Sequence, residues 1–153
     1  MALFLVQHGY SLPKDKDPKK GLSPEGIAET KRIAEVAKAY NVFVSGITHS
    51  GKTRARQTAE IFESILKPEQ GIQESSGLNP IDDVTAFADK IDSTANRMLV
   101  GHLPFMERIT SYLITGSIEK PVFKFQNSGI VCLDKYPTTS FWVIKWTLMP
   151  NIG

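Results

Sequence analysis

Leu3-Phe4-Leu5-Val6-Gln7-His8-Gly9 opens the sequence with four consecutive apolar residues that stop at a polar pair and a glycine. A run this short, without polar alternation, is the pattern of a strand covered on both faces. The polar loop 11–22 follows, and then a helix start. Ser23 stands at the N-cap, Pro24 at the first helical position, and Glu25 against the positive end of the helix dipole. Ile27, Thr30, Ala34 and Ala37 then recur at spacings of three and four, with Asn41 as the stop. A buried strand, a loop and an amphipathic helix make the first half of a βαβ unit.

Outward from that unit the alternation continues. Val42 to Thr48 predicts a second strand. A helix starting at Ser50 or Gly51 carries Ala55, Ala59, Phe62 and Leu66 on one face and ends at Pro68. Asn79-Pro80 begins a third helix with Ile81, Val84, Phe87 and Ile91. Met98 to Val100 is a short strand, and His102-Leu103-Pro104 leads into a fourth helix carrying Phe105, Ile109 and Tyr112, ended near Gly116. Gly129 to Leu133 and Phe141 to Trp146 predict two late strands joined by a turn at Pro137, with Trp142 and Trp146 on one face. Strands alternating with helices imply an α/β fold, a three-layer αβα sandwich with a mostly parallel central sheet. Residues 1–153 are expected to form a single domain.

Composition narrows the function classes. With 153 residues, 41% hydrophobic and 22% charged, the chain has the make-up of a globular domain with a sizeable core. Cys132, the only cysteine, can form no internal disulfide or cysteine zinc cluster, and three histidines leave little material for a metal cage. A net charge of +2 gives no electrostatic footprint for nucleic acid. The apolar run from Ala2 to Val6 is far too short to span a membrane and lacks the basic start of a signal peptide. The expectation is a cytoplasmic protein with no membrane or nucleic-acid partner, no metal and no organic cofactor.

Open α/β sheets bind ligands at the carboxyl ends of their strands. Three polar clusters fall there: Gln7-His8-Gly9, the stretch from Thr48-His49-Ser50 to Arg54, and Gly101-His102. His8, Arg54 and His102 should therefore converge. An arginine gives a planar bidentate donor, helix N-termini give free N–H groups, and a histidine gives a nucleophile; together they suit a phosphate dianion and phosphoryl transfer through a histidine.

These segments also carry a resemblance. Phe4-Leu5-Val6-Gln7-His8-Gly9 is similar to the opening of the histidine phosphatase (phosphoglycerate mutase-like) superfamily, where the motif is Arg-His-Gly. Gly21-Leu22-Ser23-Pro24-Glu25-Gly26 resembles its Leu-Thr-x-x-Gly segment. Ser50 with Arg54-Ala55-Arg56-Gln57-Thr58-Ala59 resembles its Ser-x-x-x-Arg-Ala-x-Gln-Thr segment. Gly101-His102-Leu103-Pro104 matches the second-histidine segment in the His-Leu-Pro form of the small SixA-type phosphohistidine phosphatases. The order is the family's, and the segments span residues 4 to about 134. The resemblance implies a phosphoglycerate mutase-like fold and a metal-independent phosphatase acting on phosphohistidine of a phosphorylated protein, or on a small phospho-compound. His8 would be the nucleophile, Arg54 would bind the phosphoryl oxygens and His102 would stabilise the transition state's charge. Gln7, Gly9 and Ser50 would line the phosphate site. The other ring N–H of His8 should be held by a carbonyl or carboxylate.

Two departures stand out. Gln7 replaces the family's first arginine, removing a charge-assisted contact of about 1.5–3 kcal/mol. Arg54, His102, Arg56 and Lys52 are the candidates to compensate. No glutamate is found where larger relatives place a general acid; Asp82 and Asp83 lie near but read as acids in a helix's first turn. A phosphoramidate needs that acid less than an alkoxide does. A non-catalytic phospholigand-binding module of the same fold is the alternative that Gln7 leaves open. A third reading comes from Gly46-Ile47-Thr48-His49-Ser50-Gly51-Lys52-Thr53, which fits the P-loop pattern, with Ile130-Val131-Cys132-Leu133-Asp134 as its apolar strand ending in a magnesium-binding aspartate. His49 reads as a helix-start or surface residue, Cys132 as a buried small hydrophobe, and Lys14 to Lys20 as a solvated loop whose place after the first strand leaves open the docking of an acidic or phosphorylated partner.

Overall fold

The computed structural model describes residues 2–152, so the ends of the expected single domain, residues 1 and 153, lie outside it. Its elements in chain order are β1 (Ala2–Gln7), α1 (Pro24–Ala39), β2 (Gly46–His49), α2 (Thr53–Leu66), β3 (Ile72–Glu74), α3 (Val84–Ala88), β4 (Arg97–Gly101), α4 (Phe105–Thr115), β5 (Ile130–Lys135) and β6 (Trp142–Leu148). The sheet order is β3-β2-β4-β1-β5-β6. β1, β2, β3 and β4 run parallel, while β5 is antiparallel to β1 and β6 to β5.

The apolar run of β1 explains the layering. Phe4 and Val6 enter one core with Ile33, Ala34 and Ala37 of α1 and Ala55, Ala59 and Phe62 of α2. Leu3 and Leu5 enter the other with Val84 of α3 and Phe105, Met106 and Ile109 of α4. Successive side chains of a strand point to opposite faces, so a strand between two helical layers must be apolar at every position. This is the three-layer α/β architecture that the alternation predicts.

Helix starts follow local chemistry closely. Ser23 caps α1, its side chain accepting from the Gly26 N–H at 3.0 Å, with Pro24 in the first turn. Val42 to Ser45 lie outside β2, which begins at Gly46, and α2 begins at Thr53 rather than at Ser50 or Gly51. Ile27 is 37% exposed, its place on the buried face taken by Gly26 and Ile33. The third helix is shorter than its apolar spacing predicts. Asp83 caps it by accepting from the Thr85 and Ala86 N–H groups, and Ile81 before it is 83% exposed. β3 was not foreseen, being three residues long and mostly polar.

The two tryptophans of β6 lie on opposite faces, against the expectation of a common one. Cys132 pairs with Trp146 but Leu133 pairs with Ile144, so Lys145 is an extra residue in the ladder. One extra residue reverses the alternation. Trp146 packs with Phe4 and the α1–α2 core, and Trp142 joins the α3–α4 core.

Candidate active site

β4 lies between β1 and β2, and all three end at the same edge of the sheet. α1 and α2 then cover one face while α4 covers the other. Chains leaving adjacent parallel strands toward opposite faces open a crevice beyond their carboxyl ends. His8, Ser50 and His102 are the first residues past β1, β2 and β4.

The backbone at His8 is held from three sides. Its N–H donates to the Gly101 carbonyl at 3.0 Å, and its carbonyl accepts from Asn127 Nδ2 at 2.8 Å. The Ser128 N–H donates to the Gln7 carbonyl at 2.9 Å. Next along, the Gly9 N–H donates to Thr58 Oγ1 at 2.9 Å, and the Thr58 hydroxyl donates to the Arg54 carbonyl at 2.8 Å. One hydroxyl thus ties the end of β1 to the turn of α2 that carries Arg54. A Cβ at Gly9 would stand 2.8 Å from Thr30 Oγ1 and 3.0 Å from Ser128 Oγ, so only glycine fits without displacing that pair.

His8 Nδ1 lies 2.7 Å from the Gly9 carbonyl oxygen. A carbonyl only accepts, so Nδ1 carries the ring proton and Nε2 keeps its lone pair. Burial brings the His8 pKa down to about 4; the Gly9 carbonyl opposes this, and the charges of Arg54 and Lys20 add to it. The imidazole is therefore neutral at pH 7, the state a nucleophile requires.

His102 is 1% exposed, and its ring centroid lies 5.0 Å from that of His8. Its Nε2 is 2.6 Å from Ser50 Oγ, while its Nδ1 is buried with no hydrogen-bond partner among the described residues. Burial first, and then the charges of His8, Arg54, Lys52 and Lys20, push its pKa down to about 3. Two neutral histidines thus sit in the field of an arginine and two lysines. Burial also lowers the pKa of Arg54 from its ordinary value, but leaves it a cation at neutral pH.

His102 meets both Ser50 and the His8 ring, and the charge of Arg54 acts on both rings. The Gly9 N–H is taken by Thr58, and Gln7 lines a cavity whose walls include neither histidine. Arg56 instead pairs with Glu60 at 3.8 Å on the exposed side of α2. Neither nearby aspartate is uncommitted: Asp82 Oδ2 accepts from the Asn79 N–H at 2.8 Å, and Asp83 caps α3. His49 is the buried last residue of β2, its Nδ1 accepting from the Gly51 N–H at 3.1 Å, which corrects both the surface and the helix-start reading. Cys132 is buried in the α1–α2 core.

The P-loop reading does not survive this geometry. Gly46 to His49 are strand β2, paired with β4 on one side, with Ile47 to His49 also paired with β3 on the other. Only Ser50 to Lys52 remain between β2 and α2, too short a loop to wrap a phosphate as that motif does. Asp134 pairs with Ala2, at the opposite end of β1 from His8.

No protein-family model and no curated protein sequence matches the chain. Solved structures do. The protein histidine phosphatase SixA, complexed with tungstate, superposes with a TM-score of 0.83 at 23% identity, covering 98% of this chain and 97% of that one. This chain has the histidine phosphatase fold. A candidate SixA phosphohistidine phosphatase from Agrobacterium tumefaciens superposes at 0.75 and 23% identity, covering 97% of each chain. The α-ribazole phosphatase of Shigella flexneri reaches 0.74 at 14%, covering 100% of this chain and 98% of its own. On this phosphoglycerate mutase-like fold, sequence reasoning missed Thr58, Asn127 and Lys20. Thr58 stands inside the recognised Arg54 segment, but its bond to Gly9 bridges two distant elements. Lys20 sits in the polar loop, brought close because the Leu22 N–H donates to Gln57 Oε1 on α2 at 2.7 Å.

Proposed function

We propose that this protein is a phosphatase that hydrolyses phosphohistidine through a covalent intermediate on His8. The observation that carries the proposal is the neutral His8 ring, its Nδ1–H held by the Gly9 carbonyl and its Nε2 bare, 5.0 Å from the ring of His102. The SixA structure of the same fold binds tungstate, a tetrahedral oxyanion, which supports a phosphoryl site here.

In the first step the Nε2 lone pair of His8 attacks phosphorus, the new N–P bond forms, and the bond from phosphorus to the substrate's nitrogen breaks. The substrate ring, protonated from solvent at its second nitrogen, takes that electron pair and departs as neutral imidazole. The phosphorylated His8 ring is then a cation, and the Gly9 carbonyl stabilises it through Nδ1–H. In the second step water attacks phosphorus, the N–P bond breaks, and His8 returns to neutrality as the water's spare proton is released. Arg54 neutralises the transferring oxygens, and Lys20 and Lys52 add positive potential. The unpartnered Nδ1 of His102 is offered to a phosphoryl oxygen. The charge that Gln7 lacks is thus supplied from the loop before α1 and from the turn before α2. No metal ion enters these steps. Among the described residues no three His, Cys, Asp or Glu side chains are grouped to hold one.

The test is phosphate release from a phosphohistidine peptide in the presence of EDTA. Wild type is expected to turn over and His8→Ala to lose at least about a thousandfold. The neutral Gln7 favours the second reading, a binding module, which predicts tight tungstate binding and no release from either protein.

A further inference from the structure

Ser50, the first residue past β2, reaches across to the first residue past β4. Its Oγ lies 2.6 Å from His102 Nε2, and both residues are buried. The hydroxyl has one further partner: the Lys52 N–H donates to Ser50 Oγ at 3.4 Å. An N–H only donates, so on that side Oγ accepts, and its own hydrogen is left for an acceptor. Among the described residues the acceptor within reach is His102 Nε2. Nε2 then holds the lone pair, and in a neutral imidazole the ring proton sits on Nδ1. The reverse arrangement makes Oγ accept from both sides and strands its hydrogen in a buried site, at a cost of about 1–3 kcal/mol.

We propose that Ser50 is a positioning residue: its hydroxyl donates to His102 Nε2 and so holds His102 in the Nδ1–H tautomer, leaving Nδ1–H as the donor to the transferring phosphoryl group. The use made of that N–H rests on the phosphatase reading; the tautomer does not. Ser50 then acts through His102 rather than as a lining contact of the phosphate site, because its hydrogen is spent on the ring. Free neutral histidine favours the opposite tautomer, with the proton on Nε2, so the ring needs a partner to reverse that preference. In the Nε2–H form Nδ1 would meet a phosphoryl oxygen lone pair to lone pair, and repel it. In the Nδ1–H form it is a buried donor without a protein partner, which an arriving oxyanion satisfies. The same bond has a structural reach. Lys52 is the N-cap of α2, and Arg54 stands two residues on. Thr58 ties Gly9 to the Arg54 turn and Ser50 ties His102 to Lys52, so two hydroxyls anchor both histidine segments to the start of α2.

The test reads the tautomer directly and needs no turnover. The full chain, labelled with nitrogen-15 at histidine, is followed by long-range proton–nitrogen NMR at neutral pH, the His102 signals being assigned by their loss in His102→Gln. In wild type the bare nitrogen is expected to be Nε2 and the protonated one Nδ1. In Ser50→Ala the signals are expected to move toward the Nε2–H form. A His102 ring protonated on Nε2 in wild type, or a tautomer unchanged in Ser50→Ala, overturns the proposal. Tungstate titration then asks whether Ser50 acts through His102. Ser50→Ala is expected to weaken tungstate binding about tenfold in the wild-type background, and by less than about twofold in His102→Gln. Equal losses in the two backgrounds overturn the positioning role and make Ser50 a direct contact. Phosphate release in wild type against His8→Ala decides the phosphatase reading separately.

Discussion

At the scale of single residues, one carbonyl decides what His8 can do. Bonded to Gly9 through Nδ1, the ring presents Nε2 and stays neutral far below its ordinary titration range. Nitrogen-15 NMR should therefore show a bare Nε2 from pH 5 to 8 and protonation only near pH 4; a titration near 6.5 would contradict the buried geometry. Thr58 is the second decisive side chain. Thr58→Val keeps the shape but removes the acceptor of the Gly9 N–H, leaving a buried donor unpaired at a cost of about 1–3 kcal/mol. Urea unfolding should register that loss, and phosphate release should fall with it as the end of β1 loosens from the Arg54 turn. The approach of His8 and His102 was legible from the sequence because each directly follows a recognisable strand. That Lys20 in particular reaches the histidines was not, since nothing in a polar loop says which of its side chains will lean toward the strand ends.

At the scale of elements, α1 shows local signals and packing acting together. The Ser23 cap and Pro24 start the helix where the sequence says, and Ser23→Ala should cost about 1 kcal/mol. Gly26 is a different matter. A side chain there would collide with the Tyr10 carbonyl oxygen, which also accepts from the Ser23 N–H. Helix propensity alone would make Gly26→Ala stabilising by about 1 kcal/mol. Thermal unfolding is instead expected to show a clear loss of stability, because the first turn must move away from the loop after β1. The same contest explains where element readings failed. Ile81, Val84, Phe87 and Ile91 have helical spacing, yet the Asp82 and Asp83 side chains bond nearby backbone N–H groups and delay the helix to Val84. β3 escaped notice because its three residues carry no apolar alternation.

At the scale of the whole molecule, the two histidines tie stability to pH. The folded-state values of His8 and His102, about 4 and about 3, lie below the ordinary 6.5. Their contribution is complete above pH 6.5 and is lost as pH falls toward the folded values, because the unfolded chain takes up protons that the folded chain refuses. The urea midpoint should drop between pH 6.5 and 4.5, and a His8→Asn, His102→Asn double variant should drop less steeply. Equal slopes would show that the buried pair is not the source. The sequence by itself determined the layering, since an unbroken apolar strand can be satisfied only between two helical faces, and it brought the candidate site residues to strand ends. Tertiary structure alone decided the rest. The extra residue at Lys145 turned the two tryptophans to opposite faces, and strand pairing on both sides of β2 removed the P-loop. The packing of α1 beside the end of β1 set Glu29 and Gln7 in one cavity. Each of these depends on contacts between segments far apart in the chain, and local periodicity holds no record of such contacts.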